Sequence, residues 1–162
     1  MSSSGPRVTV VDQSSAVEVA IRDLDAGGPR PVVLLIGGAA GFDDGQAELL
    51  YPVIRDGIVA LAEELNASIV DGGTDSGVMA LAGRARAELG AKFPLVGVAP
   101  ASRVRMPGSK RQSGTTALEP NHSHHFLVPG RVWGDESPAL LKTADAIAAG
   151  NPVVAVLVDG GA

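Results

Sequence analysis

The sequence predicts one α/β domain with a mostly parallel sheet and helices on both faces. Three observations carry this. Short β-branched runs alternate with stretches of helical period, twenty or more residues separate the runs at 32–38, 68–73 and 94–98, and three runs end in paired glycines: Gly37-Gly38, Gly72-Gly73 and Gly160-Gly161. Alternation of the two hydrophobic periods marks α/β architecture. Connections of that length suit parallel crossovers, because an antiparallel hairpin closes with a few residues. A chain of 162 residues fits one domain with a sizeable core.

The elements follow in order. Val8 to Val11 reads as a first strand, Ser14 to Leu24 as a helix, and Val32 to Ile36 as a buried strand running into Gly37-Gly38. From about Gln46 to Leu65, Leu50, Ile54, Ile58, Leu61 and Leu65 recur near helical spacing, with Pro52 and Gly57 as interruptions. Proline is tolerated in a first turn and kinks a helix interior, so this helix is either kinked or starts late, near Tyr51. Ser68 to Asp71 is the next strand, and Val78, Leu81, Ala82, Ala85 and Leu89 then share one helical face that Gly90 ends. Pro94 to Val98 and Phe126 to Val128 are strands, Ser137 to Ala149 a helix, and Val153 to Val158 a last apolar strand. Residues 1–6 read as a loose leader and 7–162 as the domain; a strand ending in Gly160-Gly161 should feed a closing helix, which this chain is expected to lack.

Composition closes several mechanisms. A hydrophobic fraction of 45% excludes a mainly disordered chain, and no apolar run approaches the roughly 18 residues that span a bilayer, so a cytoplasmic protein with no membrane partner is expected. Without cysteine there is no thiolate nucleophile and no sulfur-ligated metal. A net charge of −5 argues against bulk nucleic-acid binding, which needs a basic surface. Within this acidic chain Arg103, Arg105, Lys110 and Arg111 fall together in a stretch from Ala99 to His122 that has no clear periodicity. Such long loops are often lids, and this one reads either as a basic flap closing over an anion or as a solvated charge run.

In an open parallel sheet, ligands sit outside the carboxyl ends of the strands, so Gly-Gly turns there would line one crevice of a Rossmann-like fold. Glycine adopts positive φ and lets the main chain approach a ligand closely. The turn Gly72-Gly73-Thr74-Asp75-Ser76-Gly77 leads directly into a helix, whose first N–H groups and partial positive charge suit phosphate or carboxylate. Its simpler reading is a tight turn with Thr74, Asp75 or Ser76 as N-cap. Asp75 is expected to cap the helix or to accept from a ribose hydroxyl, and Gly73→Val to block ligand approach while leaving the protein folded. Neither G-x-G-x-x-G nor G-x-x-x-x-G-K-S/T occurs, so dinucleotide dehydrogenase and P-loop chemistry lack their markers. Gly37-Gly38-Ala39 is a weaker turn of the same kind. Asn121-His122-Ser123-His124-His125 holds all the histidines; with a strand starting there, His122 and His124 would share a face suited to a metal pair, but no third ligand is evident. A ligand-contacting or structural hydrogen-bonding cluster is the stronger reading.

Three segments in order, Leu35-Ile36-Gly37-Gly38-Ala39, Val70-Asp71-Gly72-Gly73-Thr74-Asp75-Ser76-Gly77-Val78-Met79 and Glu119-Pro120-Asn121-His122-Ser123-His124-His125-Phe126-Leu127-Val128, resemble the prokaryotic branch of the SLOG superfamily. That branch is related to the cytosolic N-terminal region of melastatin-type TRP channels, and the resemblance runs from about residue 30 to the end. It implies a Rossmann-like domain that senses nucleotide-derived ligands, ADP-ribose foremost. Ser76 and Gly77 match the family's strand-to-helix turn. Arg103 and Arg105 lie in the loop where the channel domains carry basic residues, and Lys142 stands about where those domains place an arginine. The related nucleoside-monophosphate hydrolases use P-G-G-x-G-T-x-x-E; here Asp159-Gly160-Gly161-Ala162 is the counterpart, without the glutamate.

The sequence therefore points to a small-molecule nucleotide module that needs no cofactor or metal and carries no catalytic residue, as a monomer or a homo-oligomer. Its expected ligand residues are Gly37, Gly38, Ala39, Gly72, Gly73, Thr74, Asp75, Ser76, Gly77, Arg103, Arg105, Asn121, His122, Ser123, Lys142, Gly160 and Gly161. The alternatives are a nucleotide N-glycosidase, with Glu119 or Glu136 as the acid, and a ligand-free oligomerisation scaffold.

Overall fold

In a computed structural model of the chain, residues 5–11, 28–37 and 43–158 are described. The helix expected over 14–24, the turn residues Gly38 and Ala39, and Gly160-Gly161 lie outside the described residues. Six strands form one parallel sheet in the order β1-β7-β4-β3-β2-β8. They are β1 (Arg7–Val10), β2 (Val32–Gly37), β3 (Ser68–Asp71), β4 (Leu95–Pro100), β7 (His124–Val128) and β8 (Val153–Val158). Two short strands, β5 (Val104–Arg105) and β6 (Thr116–Ala117), pair separately. β8 forms an edge, with Val154 and Leu157 exposed.

Strand alternation sorts the side chains to two faces. On one, Leu35, Ile69 and Leu95 pack with Tyr51 of the helix α1 (Asp44–Pro52), Ile54 and Val59 of the turns that follow it, and Val78, Met79 and Ala82 of the helix α3 (Gly77–Leu89). On the other, Leu34, Val70, Val96, Val98 and Phe126 pack under Ala144, Ile147 and Ala148 of α4 (Ser137–Ala148). Fully burying one such Leu or Ile contributes about 1.5–3 kcal/mol, so both faces are needed to hold the sheet.

The stretch expected to be one interrupted helix starts early and runs through its proline. Asp43 caps α1, accepting from Gln46 N at 2.8 Å while Gln46 Oε1 accepts from Asp43 N at 3.1 Å. Pro52 lies inside the helix, and wide π-type turns occupy Val53–Val59 directly after it before α2 (Ala60–Glu64) resumes. Proline has no N–H to donate to the preceding turn, so the regular ladder is lost there and re-forms with wider spacing. The alternative of a late start near Tyr51 is corrected by the Asp43 cap.

The long segment after β4 departs most from expectation. Ala101–Arg103 form a single 3₁₀ turn, β5 and β6 pair, Thr74 bridges Leu118, and the chain then runs buried through Leu118 and Glu119 to the amino end of β7. An extended strap thus makes the β4 to β7 crossover where a helix is usual. Only its outer part, 106–114, is largely exposed as a flap would be.

Candidate functional site

The carboxyl ends of β2 and β3 meet the amino ends of α3 and α4. Between them lies a cavity of about 330 Å³, bordered by Ile36, Gly37, Gly72 and Thr74, with Met79, Trp133, Leu140 and Leu141 as apolar wall and Glu136 and Ser137 at the mouth of α4. The three helix starts differ. Asp43 satisfies that of α1, whereas Ser76 of α3 and Glu136 of α4 make no side-chain capping bond. At α4 Ser137 N donates to Gly134 O and residue 138 is a proline without an N–H, so the open first-turn N–H groups that carry a helix's partial positive charge and suit an anion are those of α3.

Each glycine of the main turn has its own reason. Gly73 (φ +66) and Gly77 (φ +53) occupy the left-handed region. A Cβ on Gly73 would also lie 2.7 Å from Gly97 Cα and 2.8 Å from His125 Nδ1. Gly73→Val must therefore disrupt the fold, which corrects the expectation that it would only block a ligand. At Gly37 a Cβ would come within 2.7 Å of Val78 Cγ1, so this glycine lets α3 pack on the end of β2. Gly72 differs: its Cβ would meet nothing closer than Met79 Cε at 3.8 Å. It is the glycine at the crevice whose substitution the backbone tolerates.

Thr74 is buried, and its Oγ1 lies 3.0 Å from Ser76 Oγ, so the two hydroxyls bond each other rather than capping α3. Asp75 does not cap the helix either, and it is not among the residues bordering the crevice. Its N–H donates to Ala117 O, and its carboxyl is pushed up by desolvation and then by Glu119, with Arg105 opposing.

A buried polar cluster holds this turn from behind. Asp71, Gly97 and His125 sit side by side across β3, β4 and β7 on the face under α3. His122, also fully buried, spans two carboxylates: Nε2 lies 2.8 Å from Asp71 Oδ1 and Nδ1 2.7 Å from Glu119 Oε2. Burial pushes this imidazole down, but the charge and hydrogen bond of Asp71 and those of Glu119 outweigh it and raise it to about 9. At neutral pH it is an imidazolium that donates from both nitrogens. Its ring stacks on His125 with centroids 4.9 Å apart. His125 is held down to about 4 by burial and then by the His122 charge, and donates from Nε2 to Glu119 O at 3.0 Å.

The cluster reaches the turn through the backbone. Asp71 Oδ1 also accepts from Gly73 N at 2.7 Å, Glu119 N donates to Gly73 O at 2.9 Å, and Glu119 further accepts from Asn121 N and Nδ2. Space for the Glu119 carboxylate comes from Gly83 on α3, where a Cβ would fall 2.0 Å from its Cδ. Sequence reading missed Gly83, Gly97 and the Asp71–Glu119 pairing. The signal was there in part: a glycine inside an otherwise regular helix, and a carboxylate closing an apolar strand.

The remaining expected residues are dispersed. Arg103 donates to Arg131 O at 2.6 Å and, with Arg111, borders an open cavity that shares Trp133 with the crevice. Arg105 donates to Ser109 O at 3.3 Å. Lys142 is exposed on α4 and borders neither cavity. Asn121 and Ser123 lie at the amino end of the sheet, opposite the crevice. The strand β7 starts at His124, so His122 lies outside it and meets His125 rather than His124, which corrects the shared-face geometry considered for a metal pair. Among the described residues no group of three or more His, Asp or Glu side chains is arranged to hold a metal ion, and no helix is long and apolar enough to cross a membrane.

Comparison with known proteins agrees with this architecture. No curated protein matches the chain. The family model described as SLOG in TRPM, prokaryote, matches residues 30–162, which takes in β2 to β8, the crevice and the buried cluster. On that match the chain belongs to the prokaryotic SLOG-in-TRPM family.

Proposed function

We propose that this domain binds a nucleotide-derived ligand, ADP-ribose or a related NAD-derived molecule, in the crevice at the carboxyl ends of β2 and β3. The observation that carries the reading is a cavity of about 330 Å³ with a largely apolar wall at the start of α3, whose first turn has no side-chain cap. Phosphate would lie against the first N–H groups of α3 beside Gly72, and a base or ribose against Met79, Leu140 and Trp133. Arg103 and Arg111, in the neighbouring cavity across Trp133, are placed to supply charge to a ligand that extends beyond the crevice. On this reading no chemistry follows binding.

Titration calorimetry and thermal shift with ADP-ribose, NAD, AMP and cyclic ADP-ribose test it, each mixture being chromatographed for released base. Binding without product is expected. Gly72→Val and Trp133→Ala should each weaken binding by about tenfold, the value of roughly 1.4 kcal/mol of lost contact, at nearly unchanged stability. Unaltered affinity in both variants would remove the crevice as the site.

One observation keeps hydrolysis as a second reading. Of the two acids considered, Glu119 is buried and engaged by Asn121 and His122, but Glu136 borders the crevice, its Oε2 accepting from Gly134 N at 2.8 Å. Released base that disappears in Glu136→Gln would establish an N-glycosidase.

A further inference from the structure

At the amino end of the sheet lies a second concavity, of about 570 Å³, that the proposed ligand does not use. Its cations come from three separate segments: Arg7 at the start of β1, Arg86 in the last turn of α3, and Lys92 in the link to β4. Asn121, His122, Ser123 and His124 complete a mostly polar lining, His122 with both ring nitrogens already engaged by Asp71 and Glu119. In a chain of net charge −5, three cations and an imidazole around one cavity are a local arrangement rather than an average property.

The groups are held for the purpose. Arg86 is half-buried and fixed by two bonds, Nε to Phe93 O at 3.0 Å and Nη1 to Asn121 O at 2.9 Å. Two acids that act on Arg86 among the described residues have other hydrogen-bond partners: Glu63 Oε2 accepts from Lys92 N at 2.8 Å and Phe93 N at 3.0 Å, and Glu119 accepts from Asn121 and His122. Among the described residues the Lys92 ammonium has no ion-pair or hydrogen-bond partner. Ser123 Oγ exchanges bonds with Leu95 N and O, both at 3.0 Å, which uses its proton. The 2.9 Å contact from His124 Nδ1 to that oxygen is therefore a donation by His124, and the Nε2 of the neutral ring is left as a lone pair. His124 is held down to about 4, by burial first and then by the charges of Arg7 and Arg86.

We propose that this cavity is a second anion site, distinct from the crevice, that takes a compact tetrahedral oxyanion of the phosphate class, free or as a phosphomonoester, between Arg7, Arg86 and Lys92. Guanidinium and ammonium donors suit such an ion by charge-assisted hydrogen bonds, and Arg86 is already oriented. An anion there offsets the cationic repulsion at His124, so binding should raise the pH at which its Nε2 takes up a proton.

The test is calorimetric titration with inorganic phosphate at an ionic strength held constant with chloride. Saturable binding is expected, weakened about tenfold or more in the double variant Arg7→Gln, Lys92→Gln, whose side chains are on exposed residues and outside the core, and unchanged in the double variant Lys110→Gln, Lys142→Gln, exposed residues that border none of these cavities. Absence of saturable binding, or equal affinity in the two double variants, overturns the proposal. Sulfate keeps its charge across the titration range and supplies an independent readout: the His124 ring, followed by NMR, should titrate at a higher pH with sulfate present. An unmoved His124 titration also overturns it. Neither outcome depends on whether ADP-ribose binds the crevice.

Discussion

The face of the sheet under α4 and the face under α3 bury different materials. Under α4 the strands contribute Val32, Leu34, Val70, Val96, Val98 and Phe126, and Ala144 and Ile147 close over them. Under α3 an apolar half of similar kind gives way, toward the carboxyl ends, to Asp71, Gly97, His125, His122 and Glu119. The first face needs only volume and hydrophobicity. The second needs specific partners, because a buried ion without them loses several kcal/mol of hydration. Three cluster members come from the strap and β7, one from β3 and one, Gly97, from β4, and Gly83, which admits the Glu119 carboxylate, from α3, so the polar face ties together segments that hydrophobic packing would leave free to slide.

Breaking the contrast at its strongest point should have the largest effect. His122→Leu leaves Asp71 and Glu119 buried without their shared cation, and a loss of about 3–5 kcal/mol in urea unfolding is expected. A loss near 1 kcal/mol would mean that the cluster is ordinary packing.

The pH dependence follows in size. His122 is raised from 6.5 to about 9, so its contribution is complete below pH 6.5 and is lost as pH rises from 6.5 through 9, on the order of 3 kcal/mol. His124 and His125 are lowered to about 4; the folded state keeps them neutral, so stability also falls as pH drops from 6.5 toward 4. Denaturation midpoints should peak near pH 6.5, and the alkaline limb should vanish in His122→Leu.

Next comes Gly83→Ala. Its new methyl falls on the Glu119 carboxylate at 2.0 Å, and a cost of about 1–3 kcal/mol is expected even though alanine is the better helix former. A stabilised variant would show that α3 can move away from the strap. On the apolar face, Ile147→Val should cost only about 1 kcal/mol, with no change in the pH profile.

The resemblance in the sequence rested most specifically on Asn-His-Ser-His, and the structure gives that segment two jobs that spacing does not distinguish. His122 serves the buried cluster and so positions Gly73, and with Asn121, Ser123 and His124 it also borders the basic cavity at the other end of the sheet. The parallel sheet, the helices on both faces and the crevice at the Gly-Gly turns were legible, since periodicity and connection length are local properties of the chain. The sites of Gly72 and Thr74 followed from them. Arg105, Lys142 and Asp75 did not join that crevice, because where a loop folds back depends on partners distant in sequence, such as Ala117 for Asp75 and Ser109 for Arg105.

What the sequence by itself determined was the order of elements, their periods and the acidic balance of the chain. Tertiary structure alone decided which glycines are needed for packing and which one borders open space. It also turned His122 into a buried cation between Asp71 and Glu119, residues 48 positions apart in the chain. The physical reason is that helix and strand signals are written in neighbouring residues, whereas hydrogen-bond satisfaction, burial and charge pairing are settled only when distant segments meet in a dry interior.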